Sequence, residues 1–189
     1  MRVGGLALCL LLSGAVPLFA ADTPKFEIAG TYAYLHDTER SENFPTGWAV
    51  AVTGNANSWI GVTTEVGGNY ADCKNCQRGP FASQVFRGTD LHIRILSYLA
   101  GPRIASHAVS AVTPFAQVLF GGSHMSGGPE FDGALNTGFT YQPGAGVDVR
   151  VAPKIGIRLE GDYRVVRTTA HNNKESRVLA GVVYRFGTQ

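Results

Sequence analysis

The clearest candidates for chemistry are two cysteines in the stretch YADCKNCQRG, residues 70–79. A C-x-x-C pair can be a redox catalyst, half of a zinc site, or a disulfide that stiffens a loop. Thioredoxin-like catalysis needs the pair at the start of a helix beside a βαβ sheet, and a zinc site needs two more ligands. The role of Cys73 and Cys76 therefore depends on the elements around them and on the compartment in which the chain folds.

A second group of candidates consists of charged residues that alternate with apolar ones. Its members are Glu27, Glu65, Arg94, Asp148, Arg150, Arg158, Glu160, Asp162, Arg164 and Arg185. The density is highest in residues 147–166, VDVRVAPKIGIRLEGDYRVV, where paired carboxylates could act as general acid and base. A third candidate is GGSHMSGG, which places Ser123, His124 and Ser126 together, the residue types of a hydrolase or acyltransferase.

Other functional classes have little support. The five histidines show no H-x-x-x-H or His/Cys spacing, so we expect solvated loop side chains and no metal. The glycine pairs near position 125 do not form G-x-G-x-x-G, and no cofactor is indicated. Lysines and arginines are scattered and the net charge is only +2, which argues against a nucleic-acid partner.

The N-terminal residues predict export. Arg2 is followed by the apolar run Leu6–Leu12 and by the small-residue stretch AVPLFAA, the pattern of a signal peptide cleaved after Ala20 or Ala21. We therefore assign residues 1–21 to a signal peptide and 22–189 to one mature domain. No later stretch reaches the roughly 18 apolar residues of a transmembrane helix.

The mature chain has the two-residue periodicity of β-strands. From Lys154 onward, Ile155, Ile157 and Leu159 alternate with Gly156 and Arg158, a separation that a helix cannot produce. The predicted strands are Phe26–Leu35, Gly47–Thr53, Trp59–Asn69, Thr89–Leu99, Thr113–Gly122, Phe139–Val151, Lys154–Val166 and Arg177–Phe186. The register of the fifth strand stays open, because apolar residues fall on both of its faces.

The connections and the aromatic residues favour a membrane barrel. Long polar connections after the first, third, fifth and seventh strands alternate with shorter ones, as in outer-membrane barrels. Five aromatic residues near strand ends share the apolar faces, as an interfacial girdle requires: Tyr34, Trp48, Tyr163, Tyr184 and Phe186. The predicted fold is all-β, an eight-stranded antiparallel up-and-down transmembrane β-barrel, with apolar faces outward and charges in the lumen. An exported lipocalin-like binder is the soluble alternative.

The C-terminal third resembles a known family. Residues 179–186, LAGVVYRF, resemble the assembly signal of outer-membrane proteins, with Gly181, then Tyr184, then Phe186 on the same face as Tyr184. The stretch GAGVDVRVAPKIGIRLEGDYRVVR, with NNKESRVLAGVVYRFG, is similar to the last three strands of small outer-membrane β-barrels such as the membrane domain of outer membrane protein A. The resemblance implies an eight-stranded barrel in the bacterial outer membrane, inserted by the barrel-assembly machinery, and no enzymatic activity in most members.

The inward charges are expected to form a salt-bridge network that fills the lumen. An eight-stranded barrel is just wide enough inside for side chains, and an unpaired buried charge costs several kcal/mol. Gly144, Gly146 and Gly156 are expected to leave room for the arginine side chains. A narrow ion-conducting path and catalysis by the carboxylates are the alternatives.

The most consistent function is a structural or surface-interaction role through long extracellular loops. We expect a monomer that contacts outer-membrane lipids, lipopolysaccharide and an unidentified extracellular ligand. A lipid A deacylase or acyltransferase that uses Ser123, His124 and Ser126 is the enzymatic alternative. Because an exported chain meets oxidising conditions, Cys73 and Cys76 are predicted to form a small disulfide in an exposed loop outside the cell.

Overall fold

A computed structural model describes residues 23–38, 42–73, 91–107, 111–126, 137–167 and 172–188. Its strands are β1 (Pro24–Asp37), β2 (Glu42–Phe44), β3 (Thr46–Asn55), β4 (Ile60–Cys73), β5 (Leu91–Ala105), β6 (Val112–Ser126), β7 (Thr137–Ala152), β8 (Ile155–Arg167) and β9 (Asn172–Thr188). In these ranges there is no helix long and apolar enough to cross a membrane. The predicted signal peptide lies outside the described residues.

The strands form one closed antiparallel sheet. Strands β3 to β9 pair in chain order, and β1 pairs with both β3 and β9, which closes an eight-stranded barrel. The short β2 pairs only with the far end of β1. The predicted fold is confirmed. We call the end that holds Pro24, Thr188 and the β3–β4, β5–β6 and β7–β8 connections the turn end, and the opposite end the loop end.

β5 differs from the prediction in length. It was expected to end at Leu99 but continues through Pro102 to Ala105. Proline has no N–H to donate, and the pairing of β5 with β6 skips from Ala100 to Arg103. The stretch predicted as a connection is therefore largely strand, and Arg103 becomes a barrel residue.

Two of the predicted long connections are shorter than expected. β8 ends at Arg167 and β9 begins at Asn172, so only residues 168–171 join them. The first predicted loop is mostly a hairpin, because β2 pairs back on β1 with His36 opposite Asn43. Both departures arise because strand pairing continues beyond the apolar segments that defined the predicted strands.

The outward face of the barrel is apolar, and its inward face mixes charged, polar and apolar side chains. Exposed apolar side chains occur on all eight barrel strands, among them Ile28, Val50, Val62, Tyr98, Val118, Val149, Leu159 and Val182. The five predicted girdle aromatics all point outward, each between 37% and 45% exposed. Inward positions alternate with these; in β6, for example, Phe115, Gln117 and Leu119 point inward. This settles the register of the fifth predicted strand.

The loop end contains an apolar cluster inside the barrel. Leu35, Phe44, Ile93 and Ile95 are buried together, and Met125 packs against them. Phe44 comes from β2, whose position is supported by a hydrogen bond from the Tyr34 hydroxyl to Asn43 Oδ1 at 2.9 Å. The interior is therefore apolar at the loop end and charged further in.

Candidate functional site

The polar interior of the barrel is the candidate site, and it has two layers. The turn layer, toward the turn end, comprises Glu27, Arg103, Asp148, Arg158 and Arg185. The loop layer, nearer the apolar cluster, comprises Glu65, Gln142, Asp162, Arg164, Glu175 and Arg177. All of these side chains are buried. Each lies on the inward side of its strand, because successive side chains along a strand point to opposite faces.

Two arginines organise the turn layer. Arg103 Nη1 donates to Glu27 Oε2 at 2.9 Å, and Arg103 Nη2 donates to Asp148 Oδ2 at 3.2 Å. Arg158 binds both oxygens of Asp148, each at 2.8 Å, in the two-point geometry that makes arginine–carboxylate pairs strong. These contacts join β1, β5, β7 and β8, so they cross the interior of the barrel.

An aromatic ring supports the same two arginines. The guanidinium carbons of Arg103 and Arg158 lie 4.0 and 4.7 Å from the centroid of the Phe115 ring. A Cβ atom on Gly146 would lie 2.7 Å from Phe115 Cζ, so the missing side chain makes room for the ring. The sequence predicted that Gly146 leaves room directly for an arginine side chain. In the structure it leaves room for the Phe115 ring, which in turn stacks on Arg103 and Arg158.

Arg177 organises the loop layer. Its Nη2 donates to Glu65 Oε1 and to Asp162 Oδ2, at 2.5 and 2.8 Å. Gln142 connects this group to Arg164: its amide donates to Asp162 at 3.2 Å, and its carbonyl accepts from Arg164 Nε at 2.8 Å. These hydrogen bonds join five residues of the layer into one continuous group: Glu65, Gln142, Asp162, Arg164 and Arg177.

Three carboxylates in and beside the loop layer are close enough to resemble a metal site. Oxygens of Glu65, Glu160 and Asp162 lie within 4.8 Å of one another. Arg177 already binds two of them, and Gln117 Nε2 donates to Glu160 Oε1 at 2.5 Å. The guanidinium supplies the positive charge that the cluster needs, so we assign no metal to it.

Most of the ten charged residues singled out in the sequence lie inside the barrel. Those buried there are Glu27, Glu65, Asp148, Arg158, Glu160, Asp162, Arg164 and Arg185. Arg150 has the same strand parity as Asp148 but is only half-buried, near the turn end. The assignment of Arg94 to the interior is wrong: its side chain is exposed on the outward face. Its neighbours Ile93 and Ile95 occupy the inward apolar cluster, so the residue between them must face outward.

Sequence reasoning missed several interior residues. They are Arg103, Gln117, Gln142, Glu175 and Arg177. The inward position of Arg177 could have been predicted. Arg177 is an even number of residues from Arg185 on the same strand, so the alternation of β9 places both side chains on the inward face. Arg103 had none, because Gly101 and Pro102 beside it are residues typical of a turn.

Ser123 and His124 of the candidate Ser/His constellation do not come together. Ser123 and His124 are consecutive residues of β6, so one side chain is buried in the barrel and the other is exposed outside. Ser123 Oγ accepts a hydrogen bond from Thr140, and His124 Nδ1 lies 2.8 Å from Thr137 Oγ1. The sequence had placed this segment in a loop; it is strand as far as Ser126.

One histidine differs from its predicted solvated environment. His107 is buried at the turn end, with Nδ1 2.9 Å from the Ser58 carbonyl oxygen and Nε2 4.0 Å from Glu27 Oε1. The Ser58 carbonyl can only accept a hydrogen bond, so Nδ1 carries the proton of that contact.

Cys73 lies on β4, and the C-terminal motif lies on β9. Cys73 is the last residue of β4, at the loop end, and Cys76 lies outside the described residues, so the disulfide stays a prediction. Tyr184 and Phe186 point outward with ring centroids 6.2 Å apart, and Phe186 stacks on Phe26 of β1 at 5.6 Å. Gly181 lies on the opposite, inward side of the strand.

These features define a class of protein. A closed barrel with an apolar outer face, aromatic rings near its rims and ion pairs inside is a transmembrane β-barrel. Residues 6–186 match the outer membrane protein beta-barrel domain, and the chain belongs to that family. It is therefore a protein of the bacterial outer membrane. In the comparison with curated proteins, nothing matches the chain at a significant level.

Solved structures share the fold at low sequence identity. Neisserial surface protein A is 13% identical, with a TM-score of 0.62 over 85% of this chain and 96% of that one. OprG from Pseudomonas aeruginosa is 10% identical, with a TM-score of 0.60 over 89% and 98%. Ail of Yersinia pestis, in complex with the heparin analogue sucrose octasulfate, is 15% identical, with a TM-score of 0.54 over 85% and 96%.

Proposed function

We propose that this protein is a non-catalytic outer-membrane barrel with a plugged lumen, which acts through its outer surface and loops. The observation that carries the proposal is the set of ion pairs across the interior. Arg103 of β5 binds Glu27 of β1, and Arg177 of β9 binds Glu65 of β4, so the contacts link strands that are not neighbours. In an eight-stranded barrel such side chains occupy the space that a channel would need.

The environment of the polar groups argues against the enzymatic alternative. Lipid A deacylase or acyltransferase chemistry needs a nucleophile and a base within hydrogen-bond reach. Ser123 and His124 lie on opposite faces of β6. Asp148, Asp162 and Glu65 are bound by guanidinium groups, which keeps these carboxylates in structural pairs rather than free to act on a substrate.

The loop end is the part that we propose contacts the surroundings. The connections 74–90 and 127–136 join strands there and lie outside the described residues. In barrels of this class, the longer loops face the outside of the cell. The complex of Ail with sucrose octasulfate makes a sulfated saccharide a reasonable first probe for an extracellular ligand.

Lipopolysaccharide is the proposed lipid partner. Arg167 and Lys174 are exposed on the outward face near the loop-end limits of β8 and β9. The Arg167 guanidinium lies 5.4 Å from the centroid of the Tyr141 ring, so it sits beside the aromatic region where lipid headgroups begin. Phosphate groups of lipopolysaccharide at this height would pair with both cations.

Assembly by the barrel-assembly machinery is proposed from the C-terminal strand. Tyr184 and Phe186 form an exposed aromatic pair on β9, and Gly181 precedes them on the other face. A strand that displays this pair before the barrel closes offers a distinct feature for recognition. Replacing both aromatics with alanine is expected to lower the amount of folded protein in the membrane while leaving its export unchanged.

Planar bilayer recordings test the plugged lumen. The purified protein is expected to give no conductance steps, or only very small ones. Steady, reproducible steps would favour the alternative of a narrow ion path. A membrane with no added protein and one with a known open porin give the baseline and the positive control.

A whole-cell binding screen tests the surface role. Cells that display the protein are compared with cells that display variants with residues 75–89 or 128–135 replaced by short Gly-Ser linkers. Binding to sulfated saccharides, matrix proteins and host cells is expected to fall when the relevant loop is shortened. Unchanged binding by both shortened variants to every probe would contradict a loop-mediated role.

A further inference from the structure

The turn end of the barrel carries more positive than negative charge. Its inward guanidinium groups belong to Arg103, Arg150, Arg158 and Arg185, whereas the described carboxylates at this end are Glu27 and Asp148. The exposed side chains of Lys25 and Lys154 add two ammonium groups at the rim. Four guanidinium groups therefore share two carboxylates within the described residues.

The two carboxylates are already engaged by the other arginines. Arg158 binds both oxygens of Asp148, and Arg103 donates to Asp148 and to Glu27. Glu160, from the direction of the loop layer, also interacts electrostatically with Arg103 and Arg158. Arg103 and Arg158 thus make the hydrogen-bonded contacts to the two carboxylates, which leaves Arg185 with longer ion pairs to them and Arg150 with none within the described residues.

Both remaining arginines have buried N–H groups without a hydrogen-bond partner. Arg185 Nε is 3.6 Å from Glu27 Oε1 and its Nη2 is 3.5 Å from Asp148 Oδ2, but neither forms a hydrogen bond. Arg150 Nε is also buried without a partner, and Arg150 makes no ion pair within the described residues. Water could accept hydrogen bonds from these donors, but it would not neutralise the charge, whose burial is costly.

One glycine of β8 is a neighbour of both arginines. Gly156 pairs with Arg150 on one side and with Val183 on the other. Gly156 has no side chain, so the Arg185 guanidinium can lie over it. Arg185 Nη1 is 3.1 Å from the place that a Cβ atom of residue 156 would occupy. Arg150 is therefore the cross-strand neighbour of the glycine over which the Arg185 guanidinium lies, at the turn end of the barrel. Planar guanidinium groups present paired N–H donors that match two oxygens of a phosphate.

We propose that Arg150 and Arg185 bind a phosphate group at the turn end of the barrel, with Lys154 adding attraction at the rim. This end faces the periplasm and the inner leaflet of the outer membrane. The phosphate can belong to a phospholipid headgroup or to a soluble periplasmic phosphate, because both present the same oxygens to the two arginines.

Phosphorus NMR of inorganic phosphate tests the site. The protein is folded in a phosphate-free detergent, and the phosphate line width is followed as protein is added at constant ionic strength. The wild-type protein is expected to broaden the line, and Arg150→Gln is expected to weaken binding at least about tenfold, the effect of losing one charge-assisted hydrogen bond. Arg150→Lys should retain part of the binding.

Arg94→Gln is the matched control. It removes the same charge, but from the outward face near the loop end, so phosphate binding should be unchanged. Equal weakening by Arg94→Gln and Arg150→Gln, or no broadening by the wild-type protein, would overturn the proposal. Arg185→Gln is a second variant. If it fails to fold, as judged by gel mobility before and after boiling, Arg150→Gln alone decides, because the Arg150 side chain is half-buried and makes no ion pair with the described residues.

Native mass spectrometry distinguishes the two sources of the phosphate. The protein is released from nanodiscs of mixed phosphatidylglycerol and phosphatidylcholine. Preferential retention of phosphatidylglycerol that Arg150→Gln abolishes supports the site and assigns it to a lipid. NMR binding of inorganic phosphate without lipid retention supports the site and assigns it to a soluble phosphate.

Discussion

At the scale of single residues, the interior depends on arginines that each serve more than one acid. Arg177 binds Glu65 and Asp162, and Arg103 binds Glu27 and Asp148. Two carboxylates that share a guanidinium lose their counter-charge together when it is removed. Buried ion pairs of this kind add little stability compared with an apolar interior, but breaking one of them by removing a single partner is expensive.

Replacing Arg177 by methionine is expected to destabilise the protein strongly. The variant Arg177→Met removes the guanidinium that hydrogen-bonds the buried carboxylates of Glu65 and Asp162, so the free energy of unfolding should fall by about 3–5 kcal/mol. Urea unfolding in detergent free of lipopolysaccharide, followed by the gel-mobility shift, measures the change.

Arg94→Met is the control for that measurement. Arg94 is exposed outside the barrel, and a surface change of this type should alter the stability by no more than about 0.5 kcal/mol. Similar losses in both variants would contradict the difference between an inward and an outward arginine.

For most charged residues, the sequence alone predicts whether the side chain faces the lumen or the lipid, but it does not do so for all of them. Glu160, Asp162 and Arg164 could be placed because each alternates with an apolar neighbour in an unbroken strand. Arg94 could not, since Ile93 and Ile95 satisfy the alternation equally well whether they face lipid or the apolar cluster at the loop end. Only the pairing of distant strands decides between these faces.

At the scale of elements, the pairing of β1 with β9 depends on close backbone contact at a glycine. Thr31 is the partner of Gly181 in this pairing. A Cβ atom on Gly181 would collide with the Gly30 carbonyl oxygen and come within 2.5 Å of Thr31 Cα. The strands can therefore keep this separation only while position 181 has no side chain.

Gly181→Ala is expected to weaken the closure of the barrel. The added methyl group displaces the backbone of β1, which should lower the free energy of unfolding by about 1–3 kcal/mol, the usual cost of overpacking. The fraction of protein whose gel mobility changes on boiling, which measures the folded barrel, should fall. Gly161→Ala is the matched control, because a Cβ atom there meets nothing within 4 Å. The contact is unimportant if both alanine variants refold as well as the wild-type protein.

The number and order of the eight barrel strands could be predicted, whereas their ends and the short β2 could not. The alternation that identified β8 comes from the lipid-facing and lumen-facing positions and stops where the apolar belt stops. β9 begins five residues before its predicted start, and β5 runs through Pro102, because hydrogen bonding to a neighbouring strand continues without an apolar pattern. Composition alone does not reveal such paired extensions.

The end of β4 provides a test of sidedness. A membrane-impermeant maleimide should label intact cells at Cys73 and Cys76 only after mild reduction, because we predict a disulfide outside the cell. In a variant with both cysteines changed to serine, Lys154→Cys at the turn end should be labelled only after permeabilisation. Labelling of Lys154→Cys in intact cells would reverse the proposed orientation.

At the scale of the whole molecule, the outer face must match the thickness of the membrane. The outward residues of β8 include Ile155 at the turn end and Leu159 further along the same face, and both are exposed. Charge placed on this face should be tolerated near the rim and not near the middle of the bilayer.

Leu159→Arg and Ile155→Arg form a matched pair for that expectation. The first should lower the free energy of unfolding in lipid vesicles by about 2–4 kcal/mol, and the second by about 0–1 kcal/mol. Reversible unfolding in vesicles of defined composition measures both. Equal costs would mean that Leu159 does not lie near the middle of the bilayer.

The pairing of β1 with β9 also determines when the protein can finish folding. Phe26 meets Phe186 and Glu27 meets Arg185, so the seam joins the parts of the barrel that are furthest apart along the chain. Such contacts are slow to form, because the entropy of a long loop is lost before any pairing compensates for it. Until the seam forms, both strands expose unpaired N–H and C=O groups on which other chains can aggregate. Refolding yield should therefore fall as chain concentration rises, and the cell has to keep each exported chain apart from others until its first and last strands meet.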